Sequence, residues 1–210
     1  MMYFANPSGA TTRDLMLKQV IGFIDTPLQG NKRPDGVIWC ADNGCFNDEK
    51  FNADKWFRWL QKNRRDAATC VFATAPDVYA DAAATLERSR PWLAKIRALG
   101  YPAAYVAQDG QEHFEPPWNE FDALFVGGRK TERRQDEWKF SRHAQALVAE
   151  AKRRGKHVHY GRINSGLGWR HAEAAGAHSC DGTYIVFGPR TNLPKLLGWI
   201  AQPSLFEEAS

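Results

Sequence analysis

Residues 69–107 read TCVFATAPDVYADAAATLERSRPWLAKIRALGYPAAYVA, and this stretch decides the fold. A short apolar run, TCVFAT (69–74), has the length and residue types of a buried strand. Residues 81–99 then carry apolar side chains at three- and four-residue spacing, the period of a helix. Gly100 follows where a helix C-cap belongs, and a second apolar run, AAYVA (103–107), comes directly after it. Strand, helix, glycine, strand is the layout of a crossover between parallel strands.

The same alternation extends in both directions. Strands are expected at MYFA (2–5), VIGFI (20–24), VIWCA (37–41), ALFVG (123–127), HVHYG (157–161) and HSCDG (178–182). Helical patterns occupy residues 53–65 and 136–154, with shorter ones at 168–175 and 192–200; Gly155 and Gly176 close two of them. Eight strands separated by helices or crossover loops indicate an α/β protein with a parallel sheet, and eight strands can close a compact (β/α)8 TIM barrel. A doubly wound open sheet is the alternative, because the first crossovers are thin. PSGATTRDLMLKQ allows barely two helical turns and DTPLQGNKRPDG reads as loop. One barrel domain over residues 1–200 and a tail at 201–210 are expected.

Composition bounds the rest. A chain of 210 residues that is 43% hydrophobic supports one well-buried core. No apolar run approaches the ~18 residues of a membrane span, and the first residues lack a signal-peptide layout, so a cytoplasmic protein is expected. The four cysteines form no C-x-x-C pair, which suggests neither a zinc knuckle nor a disulfide framework. The net charge of +4 is a mild bias, with basic residues gathered in KNRRD, RKTERR and AKRRGK; it is compatible with a polyanionic partner. The six histidines show no metal-ligand spacing. His157 and His159 share one face of a strand and read as structural. No metal site and no cofactor are expected. Trp118, in the Pro-rich stretch EPPWNEF, is a candidate exposed ring.

The polar residues that end the apolar runs carry the functional signal. In order they are Asn6 with Ser8, Asp25, Asp42, Asp77, Gln108 with Asp109, Gly127-Gly128, Gly161-Arg162, and Asp181. One aspartate after a strand is more often a turn former or a helix N-cap than a catalyst. In a barrel, however, all the C-terminal strand ends share one rim, where general acid/base or carboxylate nucleophilic chemistry is placed. Magnesium held by two or three of these acids is a competing use.

Six of these stretches, in order, resemble the tRNA-guanine transglycosylase superfamily. ADNGCFN (41–47) resembles the family's D-S-G-G-F-Q, keeping Asp42, Gly44 and Phe46, with Asn43 and Cys45 in place of its Ser and Gly. APDVYADAAATLERSRPWL (75–93) is similar to the segment in which a base-recognising Asp, here Asp77, precedes an E-R-S-x-x-W helix. YVAQDG (105–110) looks like the G-x-x-Q-G strand end and places Gln108 at the base; FDALFVGG (121–128) is similar to F-D-G-x-x-V-G-G, with Gly127 and Gly128 offering backbone contacts. HVHYGRINS (157–165) stands where the family has Y-L-M-G-V-G, which puts Tyr160 in the position that packs on the base. AHSCDGTYIVFGPR (177–190) resembles F-D-C-V-x-P-T-R and supplies the nucleophile, Asp181.

The resemblance runs from about Val37 to Arg190 and implies a (β/α)8 barrel that exchanges guanine for a 7-deazaguanine. The C-x-C-x-x-C…H zinc site of the tRNA enzymes has no counterpart here. A zinc-free barrel resembles the phage and bacterial branch that inserts 7-deazaguanine derivatives into DNA, related to queuosine chemistry. The expected partners are therefore DNA and a free 7-deazaguanine base, with tRNA less favoured and room left for a homodimer. Asp181 is expected to attack the sugar and Asp42 to handle the proton on the base. Arg162, Arg190 and Arg129, with the rest of RKTERR (129–134), are candidate phosphate contacts, and Tyr160 or Trp118 a stacking ring. The alternatives are a tRNA-type transglycosylase, a base-releasing N-glycosylase, an enzyme of another glycoside, and a non-catalytic barrel that binds a nucleobase or nucleic acid.

Overall fold

The computed structural model describes residues 1–45, 51–133 and 136–202. Phe46, Arg134 and most of the expected tail (203–210) lie outside the described residues. Eight parallel strands close a barrel in chain order: β1 (Met2–Ala5), β2 (Gly22–Asp25), β3 (Trp39–Ala41), β4 (Cys70–Thr74), β5 (Ala103–Ala107), β6 (Ala123–Val126), β7 (His157–Tyr160) and β8 (Ser179–Asp181). Closure comes from β8 pairing with β1 in the register Met2↔Ser179, Tyr3↔Cys180, Phe4↔Asp181. The open-sheet alternative is thereby excluded.

Among the described residues, six α-helices surround the strands: α1 (Ala10–Leu17), α2 (Ala53–Lys62), α3 (Ala82–Ala98), α4 (Arg142–Arg153), α5 (Gly166–Ala174) and α6 (Pro189–Ala201). Among the described residues, no α-helix lies between β2 and β3 or between β5 and β6. That economy is how a chain of this length completes the barrel. Polar caps set the helix starts: Asn52, Asp81, Ser141 and Ser165 each accept a backbone N–H from the first turn of α2, α3, α4 and α5. Ser141 also splits the helical pattern expected over 136–154. A 3-10 turn at Trp138–Phe140 precedes it, and α4 starts after it.

Alternation along each strand divides the core in two. Phe4, Ile24, Cys40, Phe72, Ala104 and Ala123 fill the barrel interior. Their chain neighbours, among them Tyr3, Phe23, Trp39 and Tyr105, face the helices and pack with Trp56, Leu60 and Leu93. His159 belongs to the interior, its ring centroid 4.6 Å from that of Phe125 and 4.9 Å from that of Phe72. This plug floors the barrel and leaves the chemistry to its C-terminal mouth.

Candidate active site

The residues just beyond the strands converge there on a cleft of about 110 Å³. It is lined by Asp42 and Asn43 after β3, Thr74 at the end of β4 with Asp77 and Tyr79 after it, Gln108 after β5, Gly127 and Gly128 after β6, Arg162 after β7, and Asp181 at the end of β8. A larger groove of about 470 Å³ lies over α4, lined by residues such as Trp118, Trp138 and His143, and contains none of the strand-end acids. The chemistry therefore centres on the smaller cleft.

One wall is a hydrogen-bonded relay of amides around Asp77. Its Oδ1 accepts from Asn43 Nδ2 at 2.8 Å and its Oδ2 from Gln108 Nε2 at 2.6 Å. Gln108 is oriented in turn, because its Oε1 accepts the Gly128 N–H at 2.8 Å and the Ala80 N–H at 3.2 Å. Asn43 is fixed by donating also to the Ala75 carbonyl at 2.8 Å and accepting from Cys45 N at 2.7 Å. Burial pushes the Asp77 carboxyl above its ordinary range, and the hydrogen bonds from Asn43 and Gln108 oppose it.

The glycine pair is required by this wall. A Cβ on Gly127 would stand 3.1 Å from the Gln108 amide, and Gly128 has φ +106°, a left-handed conformation that side chains disfavour.

The same cleft holds two further acids. Asp42 is half-buried, and burial, reinforced by the negative charges of Asp181 and Asp77, pushes its carboxyl up to about 7. Asp181 has a side chain only 15% exposed. Its Oδ1 lies 2.9 Å from His159 Nε2, while Oδ2 receives the Arg162 N–H at a long 3.4 Å. Arg162 has φ +59° and its guanidinium donates to the Gly128 carbonyl, tying the loop after β7 to the loop after β6. Beneath it, buried Lys139 pairs with Glu137 at 3.1 Å and donates to the Gly161 carbonyl at 2.9 Å.

The cleft thus brings together Asp42, Asp77, Gln108, Gly127, Gly128, Arg162 and Asp181. Others lie elsewhere. Tyr160 is a correction: strand alternation turns it outward, where it is fully buried against the helix layer with its ring 6.1 Å from His171 of α5. Trp118 is corrected likewise, being buried against Phe121 with its Nε1 donating to Glu115 at 2.7 Å. The aromatic ring at the mouth is instead Tyr79, whose hydroxyl accepts the Lys130 N–H at 2.7 Å.

Arg129 and Arg190 are exposed and do not line the cleft; Arg129 directly follows Gly128, and its N–H donates to Asp109 Oδ2 at 2.6 Å. Asp25 is diverted to the loop after β2, accepting from Gln29 at 2.8 Å beside Arg33. Two contributors escape a reading of strand ends, Asn43 and His159. Their traces in the sequence are the amide directly after Asp42 and the same-face histidines of HVHY, neither of which marks its partner.

No family model matches the chain. No curated protein matches it in sequence. By fold, it is similar to a chain of the Amycolatopsis orientalis BexX/CysO complex, with a TM-score of 0.52 and 15% identity over 96% of this chain and 91% of that one. A looser likeness, TM-score 0.42 and 14% identity over 90% of this chain and 49% of that one, links it to the Bacillus subtilis YkuI protein, which has an EAL domain and was solved with c-di-GMP and calcium. At such identities the first likeness shows the barrel fold alone, and the second carries no argument.

Proposed function

We propose that the chain is a transglycosylase that exchanges guanine in DNA for a 7-deazaguanine derivative through a covalent aspartyl-sugar intermediate. The observation that carries this reading is that two acids, Asp42 and Asp181, line the same cleft as a preset Asp77–Gln108 pair.

Each residue type matches a step. Asp181 Oδ2 forms an ester bond to the sugar C1′ as the C1′–N9 bond breaks, and the electron pair of that bond passes to N9 of guanine. Asp42, protonated in part near neutral pH, gives its proton to the departing base. The entering base then returns a proton to Asp42 as its N9 attacks C1′, and Asp181 leaves as a carboxylate. Two inversions give net retention, and the backbone stays uncut.

Asp77 accepts hydrogen bonds from the donor-rich edge of a guanine-type base, and the Gln108 amide supports the carbonyl side. Adenine would present an acceptor to Asp77 and leave buried polar groups unpaired. The target base must leave its stack, at a cost of a few kcal/mol. Tyr79 offers a face for it at the mouth, and Arg162, with Arg129 and Arg190 farther out, suits phosphate.

The test is to mix the protein with guanine-containing DNA, quench in acid, and look by mass spectrometry for protein joined to DNA through Asp181. Such a species, discharged by added base, supports the reading. DNA that loses guanine to leave only abasic sites would replace it with a hydrolytic glycosylase.

A further inference from the structure

Behind Asp181 a line of hydrogen-bonding groups runs down the barrel interior. His159 Nε2 is 2.9 Å from Asp181 Oδ1, His159 Nδ1 is 2.8 Å from Ser179 Oγ, and Ser179 Oγ is 2.7 Å from His157 Nε2. The line ends with the His157 ring stacked on that of His178, centroids 5.0 Å apart. His178 is itself held, since its Nδ1 accepts the Val158 N–H at 2.9 Å. The walls are apolar: the His159 ring meets Phe4, Phe72 and Phe125 at centroid distances of 6.1, 4.9 and 4.6 Å.

Chemistry assigns a direction to the bond between His159 and Asp181. An ionised carboxylate only accepts, so His159 carries the hydrogen on Nε2. Burial, with His159 and His178 nearby, pushes the His157 ring down to about 3, so it is neutral at ordinary pH and offers one N–H. One order that matches is His157 Nε2–H to Ser179, Ser179 O–H to His159 Nδ1, and His159 Nε2–H to Asp181. Each of the three bonds then joins one donor to one acceptor, in surroundings where an unmatched group would be costly.

Building on the base-exchange reading, we propose that His159 is a positioning residue for the nucleophile. Through the His157–Ser179–His159 line it anchors Asp181 Oδ1 and leaves Oδ2 facing the cleft. The ring itself is no base toward substrate, because both its nitrogens are engaged and it is fully buried. This reverses the familiar pairing in which a carboxylate orients a working histidine. Here the histidine orients a working carboxylate. The fixed Oδ1 spares Asp181 the rotation that an unanchored carboxylate would have to lose before attack.

The experiment combines ring-nitrogen NMR with kinetics on the full chain. His159 should show the Nε2–H tautomer, and Asp181→Ala should shift its Nε2–H resonance. His159→Phe keeps the volume but removes the donor, and should lower kcat for base exchange by about 10²-fold with little change in the KM for the base. His159→Gln keeps an N–H near the Nε2 position and should recover at least about tenfold of that loss, with Ser179→Ala falling between.

An Nδ1–H tautomer at His159 would overturn the proposal. So would equal kinetics for the Phe and Gln variants, whether both match wild type or both are inactive. If wild type exchanges no base at all, the base-exchange reading fails separately, and the tautomer still decides whether His159 anchors Asp181.

Discussion

At Asp42, a carboxyl pushed up to about 7 is partly protonated at neutral pH, as a group that gives and then retakes one proton must be. Because the folded value is raised above the ordinary 3.8, the stability tied to this group is present at low pH and lost as pH rises through that window. Asp42→Asn removes the titration. Its melting temperature should match wild type near about pH 4 and exceed it near about pH 8, by an amount worth up to a few kcal/mol, while base exchange is lost. A pH-independent offset in thermal melts would contradict the assignment. Gly127→Ala should displace the Gln108 amide, which stands 3.1 Å from the added methyl, and raise the KM for the free base by about tenfold with kcat less affected. Steady-state kinetics at varied base concentration checks this. The acids and Gln108 were legible in the sequence because each ends or closely follows an apolar run. Asn43 and His159 were not, since their partners Asp77 and Asp181 lie 34 and 22 residues away. Tyr160 misled because its face is set by strand alternation, which resemblance to another chain does not fix.

Among the elements, the two crossovers without α-helices carry the structural risk, and Arg33 secures the first. Its guanidinium lies 3.5 Å from the centroid of the Trp39 ring, donates to Asp66 at 2.7 Å and to Asn63 at 3.2 Å, and stands 3.9 Å from Asp25. Burial already pushes the Asp25 carboxyl up, and Gln29 and Arg33 oppose it. Arg33→Met should therefore cost about 3 kcal/mol in urea unfolding, because it strands Asp25 in the interior. Additional loss on raising pH from about 4 to 7 would identify Asp25 as the cause, since a carboxyl whose folded value is raised further loses stability as pH rises. An Arg33→Met variant as stable as wild type would show that the loop is held by other contacts. DTPLQGNKRPDG was legible as loop from its composition; that one arginine within it pins β2, β3 and the turn after α2 was not, because the contacts are long-range.

For the whole molecule, barrel closure makes the site: β8 beside β1 puts Asp181 on the same rim as Asp42. Eight apolar runs made a barrel legible, whereas the choice between closed and open sheet rested on a pairing between the chain's two ends that no local period encodes. With a net charge of +4, the proposed DNA binding should be electrostatic and should weaken steeply between about 50 and 200 mM salt. Arg162→Ala should reduce that salt slope by about one, as read from fluorescence anisotropy at several salt concentrations; an unchanged slope would remove Arg162 from the phosphate contacts. The proposed base exchange runs through Asp181. Its most direct measurement is the incorporation of radiolabelled guanine or 7-deazaguanine into guanine-containing DNA by wild type and by Asp181→Ala. Incorporation is expected from wild type, with at least about a 10³-fold loss in the variant. Exchange by Asp181→Ala at the wild-type rate would contradict it.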